Sequence, residues 1–220
     1  MDDAPTLTLA DAGALVGGYR WMEHRLFQIT GSWAATCADP ATRIHLLESS
    51  LQHAWHAGLW ADRLPVLDHV DPEALTVPSG PAARPLFDAV WALAAHESPA
   101  GGAGSPASDV RRLAALYRVT LPRLVAGYSH HLAMASPVAE APTIRALRLV
   151  RRDETESWQA GEAILQTLLT RPELVAAAAE TQRALETIVV EAVIGTGIVP
   201  WPDGGGAAAR GAPVGGAPVR

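Results

Sequence analysis

One amphipathic segment, from Ile144 to Leu169, carries an acidic residue in the middle of its apolar face. At about 100° per residue in an α-helix, one face collects the residues Leu147, Val150, Trp158, Gly161 and Leu165. Glu154 falls at the centre of that face. A buried carboxylate is strongly unfavourable unless it is protonated, paired or bound to a metal. The chain must therefore fold so that another group becomes the partner of Glu154.

A second acidic residue lies beside the apolar stripe of the first predicted helix, which covers residues 11 to 35. Glu23 is at the edge of this stripe, next to Tyr19 and Leu26. Two inward carboxylates on two helices need cations or protons between them.

Composition predicts an all-α protein with one domain. Ala, Leu and Val dominate, no segment alternates like a strand, and 220 residues suffice for one core. We expect a flexible N-terminus over 1–7, a helical domain over 8–196 and a disordered Gly/Ala/Pro-rich tail over 197–220.

Charge and cysteine content exclude several classes of partner. The net charge is -6 and the 17 basic side chains, all Arg, form no basic stripe, so nucleic acid is not expected as a partner. Cys37 is alone, which is typical of a reducing cytoplasm. No apolar run approaches the roughly 18 residues of a membrane span, and no signal pattern opens the chain. These features predict a soluble cytoplasmic protein.

Turn signals divide the chain into two helical hairpins and a long connection. The first helix should end before Asp39-Pro40, and the second should run from Thr42 to Pro65, antiparallel to the first because the link is short. Residues 65–107 read as a crossover with one short helix, 84–96, and a mobile segment, 97–107.

The second half of the chain predicts three more helices. The third helix is capped by Ser108, runs to about residue 135 and is kinked or broken at Pro122. The fourth begins at Ser136-Pro137 or after Pro142, and a fifth covers 173–194.

The second predicted helix holds a histidine pair, His53 and His56. Histidines three residues apart are neighbours on a helix face and can bind one metal. However, the cleanest aliphatic stripe of this helix is formed by Leu47, Leu51, Ala54 and Gly58, and His56 lies nearly opposite it. Either face could be buried, and this helix taken alone favours histidines that pack or hydrogen-bond at an interface.

Other polar residues allow a metal-free arrangement. Tyr117, Tyr128 and His131 lie on the apolar side of the third helix and are typical of core residues with a hydrogen-bond partner. Arg151 lies one turn before Glu154, and a buried ion pair of Arg151 with Glu154 or Glu23 would satisfy the carboxylates without a cofactor. Asp153 and Glu156 should face solvent or pair with Arg.

This arrangement of residues 11 to 169 resembles the ferritin-like di-iron carboxylate superfamily, a four-helix bundle of two antiparallel hairpins joined by a long crossover. That superfamily has one Glu on each of two helices and Glu-x-x-His on each of the other two. Glu23, His56 and Glu154 match this pattern. His53 and Ser157 stand where the family has Glu and His, and the third helix offers Tyr128 or His131 in place of Glu.

The resemblance implies a non-haem oxidase or oxygenase that binds iron or manganese and acts on a small apolar or aromatic substrate. The implied metal ligands are Glu23, His53, His56, His131 and Glu154, and the implied catalytic residues are Glu23, Glu154 and Tyr128. Tyr19, Trp55, Tyr128 and Trp158 would form an aromatic shell that excludes water, and a homodimer is expected.

Two alternatives remain open. A metal-independent enzyme could use Glu154, with a raised pKa, as a general acid or base. A metal-free bundle could instead act as a binding or scaffolding subunit.

Overall fold

The computed structural model describes residues 7–66, 68, 70–93 and 104–192. Within this part of the chain the fold consists of six long helices and one short 3-10 helix, Pro72–Leu75, and no strand occurs, which confirms the predicted all-α class. The predicted tail over 197–220, the N-terminus except Leu7 and the segment 97–103 lie outside the described residues. The helices are α1 (Leu9–Ala34), α2 (Pro40–Ala61), α3 (Ala83–Ala92), α4 (three consecutive segments, Pro106–Ala114, Ala115–Thr120 and Leu121–Met134), α5 (Ala141–Leu168) and α6 (Pro172–Ala192).

Side chains cap the first two helices, and α2 begins two residues before the predicted start at Thr42. The Thr8 hydroxyl accepts a hydrogen bond from the backbone N–H of Asp11, and the Asp11 carboxylate accepts one from the backbone N–H of Thr8. The Asp39 carboxylate accepts a hydrogen bond from the backbone N–H of Thr42 at 2.7 Å, with Pro40 in the first turn of α2. Helix α4 begins one turn earlier than predicted, because Ser105 rather than Ser108 is its N-cap.

The predicted break in the third helix is a widened turn. Residues Ala115–Thr120 form a π-helical segment directly before Leu121 and Pro122. Proline lacks an N–H and its ring crowds the carbonyl four residues earlier, so a wider turn relieves the contact without ending the helix. The Thr120 hydroxyl donates to the Ala115 carbonyl oxygen at 2.9 Å across this segment.

Helices α1 and α2 form an antiparallel hairpin, and α4 and α5 form another. In the first hairpin the Ser50 hydroxyl donates to the Phe27 carbonyl oxygen, whereas Gly13 lies against Pro65 at the far end. In the second, the Arg118 side chain pairs with Glu162, and His131 lies 2.9 Å from Glu140. Each hairpin therefore runs out and back along the same length.

Contacts between the hairpins place α1 antiparallel to α4 and α2 antiparallel to α5. Helices α1 and α4 meet where Tyr128 bonds Glu23 and, further along, where Arg112 bonds Thr36. Helices α2 and α5 meet where the hydroxyls of Ser49 and Ser157 lie 3.4 Å apart. The chain must therefore run the length of the bundle between the end of α2 and the start of α4, because α4 begins at the end of the bundle where α2 begins.

The remaining helices cover the outside of this group of four. Helix α3 packs on α1, with the rings of Trp21 and Phe87 5.3 Å apart. Helix α6 packs on α4 and α3, and a cavity of about 430 Å³ lies between these three helices, partly lined by Leu185 and Ile188. None of the described helices combines the length and apolar character that a bilayer crossing requires.

Candidate metal centre

Four acidic and imidazole side chains from three helices meet in the interior. Helix α1 contributes Glu23, α2 contributes His53 and His56, and α5 contributes Glu154; all four are buried. One nitrogen or oxygen atom from each lies within 4.8 Å of the corresponding atoms of the others. These four residues are called the central Glu/His group below.

Both histidines direct Nδ1 toward the carboxylates. Nδ1 of His53 is 2.7 Å from Oε2 of Glu23 and 3.1 Å from Oε1 of Glu154. Nδ1 of His56 is 2.9 Å from Oε1 of Glu154 and 3.6 Å from Oε2 of Glu23. Each imidazole therefore lies between the same two carboxylates, so the four side chains form one unit instead of two separate pairs.

Tyr128 from α4 completes the surroundings of Glu23. Its hydroxyl donates a hydrogen bond of 2.5 Å to Oε1 of Glu23, the oxygen that faces away from the histidines. The phenol is buried, and burial together with the charges of Glu23 and Glu154 raises the pKa of Tyr128 well above its usual value. The phenol therefore keeps its proton and holds Glu23 in place.

Glu154 has one oxygen without a partner. Oε2 of Glu154 is buried and accepts no hydrogen bond from the described residues, whereas Oε1 faces both histidines. Arg151 is exposed, and the ion pairs of Glu154 are with His53 and His56, so the predicted pair with Arg151 is not formed. A buried carboxylate oxygen with no donor is costly, and a bound cation would satisfy it.

Without a metal, protons balance the charge of the group. Burial alone would lower the pKa of each imidazole, but the neighbouring carboxylates outweigh it and raise the pKa of His53 to about 9 and of His56 to about 10. Burial alone would raise the pKa of Glu23, but the charge of His56 and the hydrogen bond from His53 outweigh it and lower the pKa to about 2. At neutral pH the metal-free group therefore holds two imidazolium ions beside the ionised Glu23.

Because of these pKa shifts, the metal-free protein should become less stable as the pH rises above neutral. An unfolded histidine has a pKa of about 6.5, so between that pH and the folded values of about 9 and 10 the folded state binds more protons. The stabilisation is complete below about pH 6.5 and is lost as the pH rises through the folded pKa values. We expect the Tm of the chelator-treated protein to fall by at least about 5 °C between pH 7 and pH 10.

The control for this pH dependence is an exposed histidine. Thermal unfolding of His56→Gln should show a flatter decrease with pH, whereas His24→Gln, a change at an exposed position, should keep the wild-type slope. Equal slopes in wild type and His56→Gln would contradict the assigned protonation.

Asp153 lies behind His56, although the sequence indicated that it would face solvent. Its Oδ2 is 3.3 Å from Nε2 of His56, on the opposite side of the ring from the central group, and its side chain is partly exposed. When Nε2–H of the neutral His56 ring donates to Asp153, Nδ1 carries the free lone pair. Nδ1 is also the atom directed at Glu154. Asp153 therefore selects the tautomer that could bind a metal.

Asp153→Ala is expected to weaken metal binding by about 10- to 100-fold, because outer carboxylates on ligating histidines have effects of that size. The affinity would be measured by competition with a chelator. Asp153→Asn should recover part of the loss, because its carbonyl oxygen can accept the same N–H. Glu156→Ala, a change at an exposed residue that pairs with Arg152, should have no effect. Equal affinities for wild type and Asp153→Ala would contradict this role.

His131 does not join the central group, contrary to the predicted ligand set. Its Nδ1 is 3.0 Å from the Tyr19 hydroxyl and its Nε2 is 2.9 Å from Oε1 of Glu140. One tautomer satisfies both contacts, with the Tyr19 O–H donating to Nδ1 and Nε2–H donating to Glu140. His131 is thus a buried histidine that is bonded to Tyr19 and Glu140, and four of the five predicted ligands come together.

The aromatic surroundings also differ from the predicted shell. Tyr19 and Tyr128 are in contact with ring centroids 4.8 Å apart, and the buried Trp60 lies 5.0 Å from Tyr19. Trp55 is half exposed on the outer side of α2, and Trp158 is partly buried. The dry side of the centre is therefore formed by Tyr19, Tyr128 and Trp60.

Sequence reasoning missed Asp153 and Trp60. Trp60 lies one turn after His56, at the spacing that shares its face, and this could have been recognised once the His face was known to be buried. Asp153 directly precedes Glu154 and points to a different face of α5, so only the position of α2 shows that it reaches His56.

No protein-family model, curated protein or solved structure matches this chain. The assignment of a function therefore depends on the geometry of the central Glu/His group.

Proposed function

We propose that this chain is a ferritin-like protein whose central Glu/His group binds one iron or manganese ion for non-haem oxidation of a small organic substrate. The observation that carries the proposal is the convergence of two buried carboxylates and two buried imidazoles on one point, with Oε2 of Glu154 left without a donor. A mixed set of carboxylate and imidazole ligands suits these metals.

The size of the group fits a single ion. Nitrogen and oxygen ligands lie about 2.0 to 2.2 Å from a transition metal, so two ligands on opposite sides of one ion are little more than 4 Å apart. The donor atoms here lie within 4.8 Å of one another, so small side-chain movements would complete the coordination. Glu23, His53, His56 and Glu154 would be the ligands.

The order of the helices supports a ferritin-like assignment, and the ligand set argues for one metal and not two. Two antiparallel hairpins joined by a long crossover place Glu23 and Glu154 on helices that correspond to the single-Glu helix and the last motif of that superfamily. Where a second metal would need a carboxylate on α4, the chain has Tyr128, and where it would need a histidine on α5, Ser157 bonds Ser49. Those substitutions remove ligands of a second ion.

The surrounding residues would prepare the site for chemistry. Tyr128 fixes one oxygen of Glu23, Asp153 orients His56, and the Tyr19, Tyr128 and Trp60 rings exclude water from one side. When bound, the metal would supply the binding and reduction of dioxygen. Both imidazoles must lose their protons to bind it, so metal binding should release about two protons near neutral pH.

A second candidate, a metal-free binding or scaffolding subunit, is favoured by one observation. The two imidazolium ions can balance negative charge within the central group, because the carboxylates raise the pKa of both histidines and the histidines lower the pKa of Glu23. A metal-independent acid/base role for Glu154 would use the same protonated pairs.

Metal loading separates these candidates. The purified protein would be incubated with ferrous iron without oxygen, or with manganese, then desalted and measured by elemental analysis, with proton release followed in weak buffer. Retention of about one ion per chain with proton release would support the metal centre, and oxygen consumption by the iron form would support the oxidase. If neither metal is retained, the charge-paired, metal-free protein is the better description.

A further inference from the structure

The outer face of α2 is apolar although it points away from the protein interior. Its largest side chains are Ile44, Leu47, Leu51 and Trp55, whose exposed fractions are 59%, 49%, 72% and 50%. At 100° per residue these positions share one face, and Gly58 lies on the same face one turn further on. Between Ile44 and Gly58 the one acidic or basic side chain other than histidine is Glu48. These four side chains are called the α2 apolar stripe.

A helix that buries one face normally presents polar residues on the other. Here the inner face of α2 carries His53 and His56, and the outer face carries the apolar stripe, so the usual pattern is reversed. The stripe offers on the order of 500 Å² of apolar surface, as large as the main patch of many monomers and often a binding surface.

We propose that the α2 apolar stripe is the interface between two copies of this chain, with their α2 helices antiparallel across a two-fold axis at Leu51. In this register residue numbers of facing positions add to 102. Leu51 faces Leu51 of the other copy, Leu47 faces Trp55, and Ile44 faces Gly58. A two-fold axis requires such reciprocal contacts.

The side chains are complementary in size in this register. A Cβ atom added at Gly58 would meet nothing within 4 Å in the single chain, so the surface above it is open. Ile44 of the other copy would fill that space, and the large Trp55 ring would lie over Leu47. In parallel pairing Gly58 would instead face Gly58, which leaves a gap, and Trp55 would face Trp55, which crowds the two rings.

The helix dipoles favour the antiparallel arrangement, because it places the positive end of one helix beside the negative end of the other.

The available area agrees with a dimer of modest size. A standard interface buries about 800 Å² on each partner, and the stripe supplies more than half of this area. The exposed Phe27 of α1 adds to it. Phe27 lies beside α2, because its carbonyl oxygen accepts a hydrogen bond from Ser50. The Trp55 ring also lies 5.5 Å from the His56 ring, so the second copy would cover the outer side of α2 at the level of the central group.

The first test is the mass of the protein in solution. Sedimentation or light scattering at up to about 100 µM, far above the Kd of a standard interface, should give twice the 23.1 kDa of the single chain. Leu51→Glu and Trp55→Glu should halve that mass and leave helical circular dichroism unchanged, because both side chains project into solvent in the single chain. Val138→Glu is the matched control, since Val138 is 92% exposed outside the stripe. A monomeric wild type, or a Leu51→Glu dimer, would overturn the proposal.

The second test reads the register by disulfide formation. Under mild oxidation Leu51→Cys should give a covalently linked dimer, because position 51 meets its own copy at the axis. In Ile44→Cys the two thiols would be separated by roughly 21 Å along the helices, at 1.5 Å per residue, far beyond the reach of a disulfide. Cys37 is buried and stays silent in both variants. Linked dimers from Ile44→Cys, or their absence from Leu51→Cys, would overturn the antiparallel register.

Discussion

Glu154→Ala should reduce metal retention from about one ion per chain to less than about 0.1, because it removes the residue whose Oε1 faces both imidazoles and whose Oε2 lacks a donor. A site of two carboxylates and two imidazoles has no spare ligand. Without Glu154, three protein ligands remain for an ion that must give up its hydration shell, so the ion is not retained. Elemental analysis after anaerobic loading and desalting measures the effect.

The matched control is two residues away on the same helix. Glu156 is exposed and bonded to Arg152, so Glu156→Ala changes the net charge by the same amount without touching the centre. Glu23→Ala should behave like Glu154→Ala. Full metal retention in Glu154→Ala, with wild-type helical content, would exclude the central group as the binding site.

Asp109→Ala should be the most destabilising of the single changes considered for this chain, at about 3 to 5 kcal/mol, which lowers the Tm of a domain of this size by roughly 6 to 20 °C. Asp109 is buried, and its Oδ2 accepts the backbone N–H groups of Ala38 and Asp39, each at 2.9 Å. Its other oxygen lies 3.7 Å from the buried Arg112. Removal leaves two donors without an acceptor and Arg112 without its carboxylate.

This change tests the contact between the two hairpins. Asp109 belongs to the start of α4, and the two N–H groups belong to the turn between α1 and α2, so one carboxylate ties the first hairpin to the second. Asp88→Ala provides the comparison, because Asp88 forms an exposed ion pair with Arg25 and should contribute about 1 kcal/mol or less. Thermal unfolding of both variants in the same buffer measures the difference. Equal shifts would contradict the assigned role of Asp109.

The histidine pair shows where single-helix reasoning failed. From α2 alone, Leu47 and Leu51 belong to the cleanest aliphatic stripe, either face could be buried, and histidines that pack or hydrogen-bond at an interface are favoured. In the structure His53 and His56 are buried, and both leucines are exposed. The inward face was chosen by Glu23 and Glu154, because two buried carboxylates need donors that leucine cannot provide.

The ligand prediction failed at His131 for a similar reason. An inward histidine on the correct side of α4 satisfied every rule of spacing, but it lies one turn beyond Tyr128, at the level of Tyr19 and Glu140. Position along the axis, and not the face of the helix, separates Tyr128, which bonds Glu23, from His131. Axial level depends on how far one hairpin is shifted along the other, which no local pattern encodes.

The sequence by itself determined the all-α class, the approximate extents of the helices, and the inward positions of Glu23 and Glu154, because helical periodicity and proline act within a few positions of the chain. Only the tertiary structure decided which face of α2 is buried, that Asp153 supports His56, and that Tyr128 and not His131 reaches the centre. These outcomes depend on the relative shift and rotation of packed helices, and those are set by the sum of many contacts between residues far apart in sequence.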